Sequence, residues 1–159
     1  MTPQYNMLAS VVPVGRFLVK AQHLLVALSH LAVYNSGCML EVRISGRTGG
    51  PGPQIHSCDA FESLVFAARF GEEITAVLDG WHHVARNRGW LQLSYSGAQC
   101  GESASRAAAS ISLWLHPLPP PQAGILTILA PDLGHELTDC PLDGVAIVAA
   151  AKHARPYWH

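Results

Sequence analysis

The segment Ser110-Ile111-Ser112-Leu113-Trp114-Leu115-His116, followed at once by Pro117-Leu118-Pro119-Pro120-Pro121, constrains this chain more than any other. Its apolar residues recur at every second position. Ile111, Leu113 and Leu115 therefore share one face, while Ser110, Ser112, Trp114 and His116 share the other. This is the period of a half-buried strand, and a helix would scatter the same residues around its axis. The prolines that follow cannot donate ladder hydrogen bonds, so the strand must stop there.

The same period recurs upstream and downstream. Leu31-Ala32-Val33-Tyr34 and Met39-Leu40-Glu41-Val42-Arg43-Ile44 flank the turn Asn35-Ser36-Gly37, which is a hairpin signal. Leu40, Val42 and Ile44 would face inward, with Met39, Glu41 and Arg43 facing outward. Leu64, Phe66, Ala68 and Phe70 form another inner face. Ile74 to Leu78, Trp90 to Tyr95 and Ile125 to Leu129 supply further strands. Residues 17–32 are ambiguous, because Leu18, Ala21, Leu25, Leu28 and Ala32 also fall at helical spacing. Two glycine-rich stretches, near 46–58 and 96–106, read as loops. Near the C-terminus, Pro141 and the alanine-rich run to Ala154 predict a helix over about 142–155, ended by Pro156. Seven or eight short strands with regular turn signals predict one domain over residues 1–159. It is mainly β, an antiparallel β-sandwich with a short C-terminal α-helix.

Charge narrows the function classes. Only 13% of the residues are charged, against about 25% in a typical soluble domain. A chain so poor in charge leaves apolar surface to be covered, most simply by a second copy of itself or by another protein. Its ten Lys and Arg are scattered and its net charge is −1. That excludes the clustered positive charge of a nucleic-acid groove and gives no basis for binding an anionic membrane. Phe17 to Tyr34 is too polar to span a bilayer, and the first residues lack the basic and apolar regions of a secretory signal. A cytoplasmic location is expected. Cys38, Cys58, Cys100 and Cys140 are far apart with no C-x-x-C pair, so in that compartment they are expected to be free thiols.

From Trp114 onward the chain resembles an uncharacterised family of small actinobacterial proteins. That family carries a W-x-x-P-L-P-P segment, a following apolar strand, an acidic spot and an Ala-rich terminal helix ending in Trp. The matching residues are Trp114, Pro117, Leu118, Pro119, Pro120, Gly124, Glu136, Ala150, Ala151, Ala154 and Trp158. The Tyr34-to-Gly37 turn and the Phe70 to Asp79-Gly80 stretch are similar in placement. The family's glycine-rich run before its Trp strand is reduced here to Gly97 and Gly101. The resemblance implies a β-rich cytoplasmic domain, with Leu25 to Tyr34 as strand, and it implies no activity.

Few residues are arranged for chemistry. Asp79-Gly80-Trp81-His82-His83 places a carboxylate and two imidazoles in one turn, ligand types that suit Zn or Fe. Adjacent residues on a strand point apart, however, so His82 and His83 share an ion only in irregular backbone. His135-Glu136 begins an H-E-x-x-H motif, but Asp139 stands where its second His belongs. His56 and Cys58 are too close in sequence to resemble the nucleophile pairs that folds assemble. Nucleophile elbows and phosphate-binding glycine loops are missing. Pro117 to Pro121 reads as a stiff connection with Leu118 tucked inward, the alternative being a polyproline ligand for an aromatic groove. Trp114, on the same face as His116, is large to leave wet, and the helix or a second subunit would have to cover it. The expected interface is Trp114, His116, Leu118 and Trp158.

The sequence therefore favours a non-enzymatic association module without a cofactor, either a homo-oligomer or a subunit of a larger assembly. The alternatives are a metal-dependent enzyme using Asp79, His82, His83, His135 and Glu136, and a small-ligand carrier with its pocket between two sheets.

Overall fold

The computed structural model describes residues 6–52, 55, 58–79, 85–129 and 139–158, with the side chains at 59, 60, 79 and 85–88 left aside. Strands dominate these residues, and they arrange into two five-stranded antiparallel sheets and one small ribbon. The ribbon pairs β1 (Met7–Leu8) with β12 (Arg155–Pro156), the two ends of the described chain.

The first sheet begins as a meander of β2 (Ser10–Lys20), β3 (Leu24–Val33) and β4 (Cys38–Arg47). It is completed by the hairpin of β8 (Gln92–Glu102) and β9 (Arg106–His116), in the order β2-β3-β4-β9-β8. The second sheet holds β5 (Val65–Phe70), β6 (Ile74–Asp79), β7 (Ala85–Arg88), β10 (Ala123–Leu129) and β11 (Cys140–Asp143), in the order β11-β10-β5-β6-β7. The chain therefore alternates between sheets in blocks: three strands, three strands, two strands, two strands. Each change of sheet needs a connection, and the third of these is Pro117 to Gln122. The proline run thus ends one strand and carries the chain to the other sheet. Leu118 leans on the core from it, as the sequence predicts.

Period-2 patterning places the core. Leu40, Val42, Ile44, Ile111, Leu113 and Leu115 of the first sheet are buried, as are Phe66, Ala68, Phe70, Leu126 and Ile128 of the second. They belong to one continuous apolar cluster. The rings of Phe66 and Tyr95, one from each sheet, meet edge-on with centroids 6.3 Å apart. The core contains no buried charged residue among the described positions. The helix α1 (Gly144–Ala151) follows β11 directly, with the Asp143 carboxylate accepting from the Ala146 amide at 3.0 Å as its N-cap.

One ambiguity is resolved and two expectations need correction. Residues 17–32 are two strands: β2 and β3 pair antiparallel and bury Leu18, Leu24 and Leu28 in the apolar core. Residues 96–102 are strand rather than loop: β8 runs unbroken to Glu102, held by its backbone pairing to β9 although most of its side chains are exposed. The helix is shorter than 142–155, since Pro141 lies in a strand and Lys152 caps the helix C-terminus.

Candidate functional site

The outward face of the first sheet is where its polar and aromatic side chains gather, and strand register fixes who sits beside whom. One row across the sheet reads Met39, Trp114, Ser94. The next reads His30, Glu41, Ser112, Gly97, then Phe17, Ala27, Arg43, Ser110, Gln99, and then Lys20, Leu25, Ser45, Ala108, Gly101. Arg47 and Arg106 close the face at one end.

At the Trp114 end the face is closed. Trp114 is 1% exposed. Tyr34 packs edge-on against its ring at 5.9 Å, and His116 stacks on it at 6.0 Å. The β3–β4 turn lies directly above. A Cβ on Gly37 would stand 2.8 Å from two atoms of the indole and 2.6 Å from the Leu115 carbonyl, so only glycine permits this approach. The Trp114 Nε1 has no hydrogen-bond partner among the described residues, a cost accepted for the packing. Burial holds the Tyr34 phenol above its ordinary range, with Tyr157 and Glu41 adding to the effect. Burial also holds the His116 imidazole below its ordinary value.

These contacts revise the expected interface. Trp114 is covered by its own chain, by the hairpin turn rather than by the helix or a second subunit, and has no surface to offer. Leu118 packs against the core and His116 is half-buried against the indole. Trp158 is 81% exposed, and Tyr157, Leu8 and Val11 are exposed too. Leu8, Tyr157 and Trp158 lie on or directly follow the terminal ribbon, where the Tyr157 amide donates to the Asn6 carbonyl at 2.8 Å, while Val11 is in β2.

At the arginine end the same face is open. A groove of about 580 Å³ runs over β2, β3, β4, β9 and β8. It is lined by the small residues Ala27, Ala108 and Gly101 together with Phe17 and Gln99 toward the two edge strands, Arg43 on the central strand β4, and Arg106. The Arg106 Nε donates to the Ser45 Oγ at 2.7 Å, which fixes the guanidinium while leaving its outer nitrogens available. Arg43 has no polar partner among the described residues. Glu41, the nearest carboxylate along β4, lies outside the groove and accepts from the Ser112 hydroxyl at 2.8 and 3.0 Å.

The free-thiol expectation holds for two cysteines and fails for two. Cys58 and Cys100 form a disulfide, with Cα atoms 6.2 Å apart, that ties the 3-10 turn Cys58–Ser63 to β8. The Cys58 amide also donates to the Glu102 carboxylate at 2.6 Å. Cys38 and Cys140 are buried and free. Burial pushes the Cys38 thiol up to about 12, so it is an inert core residue rather than a nucleophile.

Of the proposed metal ligands, Asp79 ends β6, and its side chain lies outside the described set. His82, His83, His135 and Glu136 also lie outside the described residues. Among the described residues no group of three or more His, Cys, Asp or Glu is placed to hold a metal ion. No described helix is long and apolar enough to cross a membrane. The carrier reading expects a pocket between the sheets; a cleft of about 670 Å³ lies where β2 and β3 of the first sheet meet β10, β11 and α1, lined by Val12, Val14, Leu31, Gly124 and Leu142, whereas the groove lies on an outer face. Arg43 was readable in the sequence as an outward residue, whereas Arg106 fell at the end of an apparent loop. Compared with known protein families, curated proteins and solved structures, the chain matches none.

Proposed function

We propose that this chain is a non-enzymatic β-sandwich, its two sheets packed face to face, that works by association with a second copy of itself through the terminal ribbon. The observation that carries the reading is the exposure of Trp158 and Tyr157, which directly follow the ribbon strand β12, together with the exposed Leu8 of β1. Aromatic residues are the group most enriched at the centres of interfaces. A symmetric dimer would place the same patch on both partners, so each copy covers the other's aromatic residues. The low charge of the chain supports the same conclusion. The resemblance to the small actinobacterial proteins includes Trp158 and is consistent with this role. The Cys58–Cys100 disulfide supports an oxidising compartment instead of the cytoplasm, because such bonds persist where thiols are not kept reduced.

Sedimentation velocity on untagged protein tests the reading. The wild type is expected to be dimeric or larger at tens of micromolar, and Trp158→Glu to be a folded monomer with an unchanged melting temperature. A wild type that stays monomeric at high micromolar concentration would sink the proposal. Trp114→Glu, the charge insertion the sequence alone would choose, tests folding and not association.

A further inference from the structure

We infer that the groove on the outward face of the first sheet binds a small organic anion with an apolar body, its carboxylate or phosphate held between Arg43 and Arg106. Three observations lead there. The first is shape. Ala27, Ala108 and Gly101 meet in consecutive rows of the sheet, and the lack of bulk at these positions leaves a depression of about 580 Å³. That volume falls within the range of small-molecule sites.

The second is charge. Two arginines line the groove and no acidic residue does, in a chain whose net charge is −1 and whose charged residues are few. Like charges on one depression repel each other in the empty state, and an anion relieves that repulsion. A guanidinium presents a planar fork of donors that matches both carboxylate and phosphate. The Ser45 contact restrains Arg106 at its Nε and leaves its terminal nitrogens without a partner among the described residues, where Arg43 is uncommitted too. Ser110 and Gln99, across the strands from Arg43, add neutral donors beside it.

The third is apolar surface beside the charge. Phe17 is 50% exposed, separated from Arg43 only by Ala27 in its row, with the Lys20 ammonium 5.3 Å from its ring centroid, and Leu25 lies beside Ser45 in the next row. An anionic head on Arg43 and Arg106 would therefore lay its apolar body toward Phe17 and Leu25. The amphipathic division of the groove specifies an amphipathic ligand.

Isothermal titration with 1-naphthoate, 1-naphthyl phosphate and the neutral 1-naphthylmethanol tests this. One equivalent of at least one of the two anions is expected to bind saturably, and the alcohol much more weakly; whichever anion binds tighter names the head group. Arg43→Gln and Arg106→Gln should each weaken the anion about tenfold, the usual scale for loss of a charge-assisted hydrogen bond. Glu41→Gln should tighten it by removing the neighbouring negative charge. Binding of neither anion, equal binding of the alcohol, or affinity that survives the Arg43→Gln/Arg106→Gln double variant would overturn the inference. Because Trp158→Glu leaves the groove untouched, the anion titration on that variant separates failure of this site from failure of the association reading.

Discussion

One strand, β9, supplies both ends of the outward face, and the two ends behave in opposite ways. At Trp114 the largest side chain available fills the surface, and Tyr34, His116 and the Gly37 turn close over it. Three rows away Ala108 occupies the equivalent position, its neighbours are Gly101 and Ser45, and the surface stays open. The β4–β9 pairing runs through both ends without a shift, while β3 and β8 each shift register between them. Side-chain size, together with the Gly37 turn at one end, decides whether this sheet carries a second small core or a groove, so the closed end should matter for stability and the open end for binding.

Removing the indole is the most direct attack on the closed end. Trp114→Ala should cost about 3–5 kcal/mol, the range for truncating a buried large aromatic residue, read from urea denaturation. A loss under about 1 kcal/mol would mean that the aromatic cap adds little and that the two ends differ less than their packing indicates. Next in size is the covalent tie beside the open end. Cys58→Ser should destabilise by about 2–4 kcal/mol, the scale for a bond closing a loop of this length. Dithiothreitol should lower the melting temperature of the wild type and leave that of the variant unmoved; equal sensitivity in both would dismiss the disulfide as a stabilising element.

Filling the open end should change little except binding. Ala108→Leu places bulk on an exposed position and should alter stability by no more than about 0.5 kcal/mol, while abolishing 1-naphthoate uptake. Stability lost on a larger scale would show that the bed of the groove is packed rather than open. The smallest effect belongs to pH. Burial favours neutral His116 in the folded chain, so its folded pKa lies below the unfolded value near 6.5. As pH falls through about 6.5 the unfolded state binds the proton first, and stability declines until the folded pKa is passed. Denaturation at pH 7.5 and pH 5 should show a larger loss in wild type than in His116→Gln. Identical losses would remove His116 from the closed end's energetics.

What could be read from the sequence was decided by single strands, and what could not was decided between them. The inward faces of β4, β5 and β9 follow from alternation alone, and Leu40, Phe66 and Ile111 are buried as expected. β2 lacks that regularity because Gly15 has φ +60° and the pairing to β3 shifts on either side of Arg16–Phe17, so no clean period survives. β8 escaped notice for another reason. At the edge of the sheet its Gly, Ser and Gln side chains bury little, and the pairing to β9 holds it. The groove was equally hidden, since Ala27, Arg43, Gly101 and Arg106 come from four strands and become neighbours only through register. Cys58 and Cys100 lie 42 residues apart, and nothing local marks them as partners. Trp114 was singled out correctly as a residue that demands cover. Its cover came from Gly37, whose importance rests on a missing Cβ.

The ribbon of Met7–Leu8 with Arg155–Pro156 makes the described chain almost circular. Its first and last strands are hydrogen-bonded neighbours, so a short peptide could join them without disturbing either sheet. The tight turn at Ser103–Arg106, exposed and held by the Ser103 amide bonding to the Arg106 carbonyl, is then a natural place to open the ring. A permuted chain beginning at Ser105 would keep every strand neighbour while separating β8 from β9 in sequence. Its folding would show whether the order of the strands along the chain matters at all, or only their order in space.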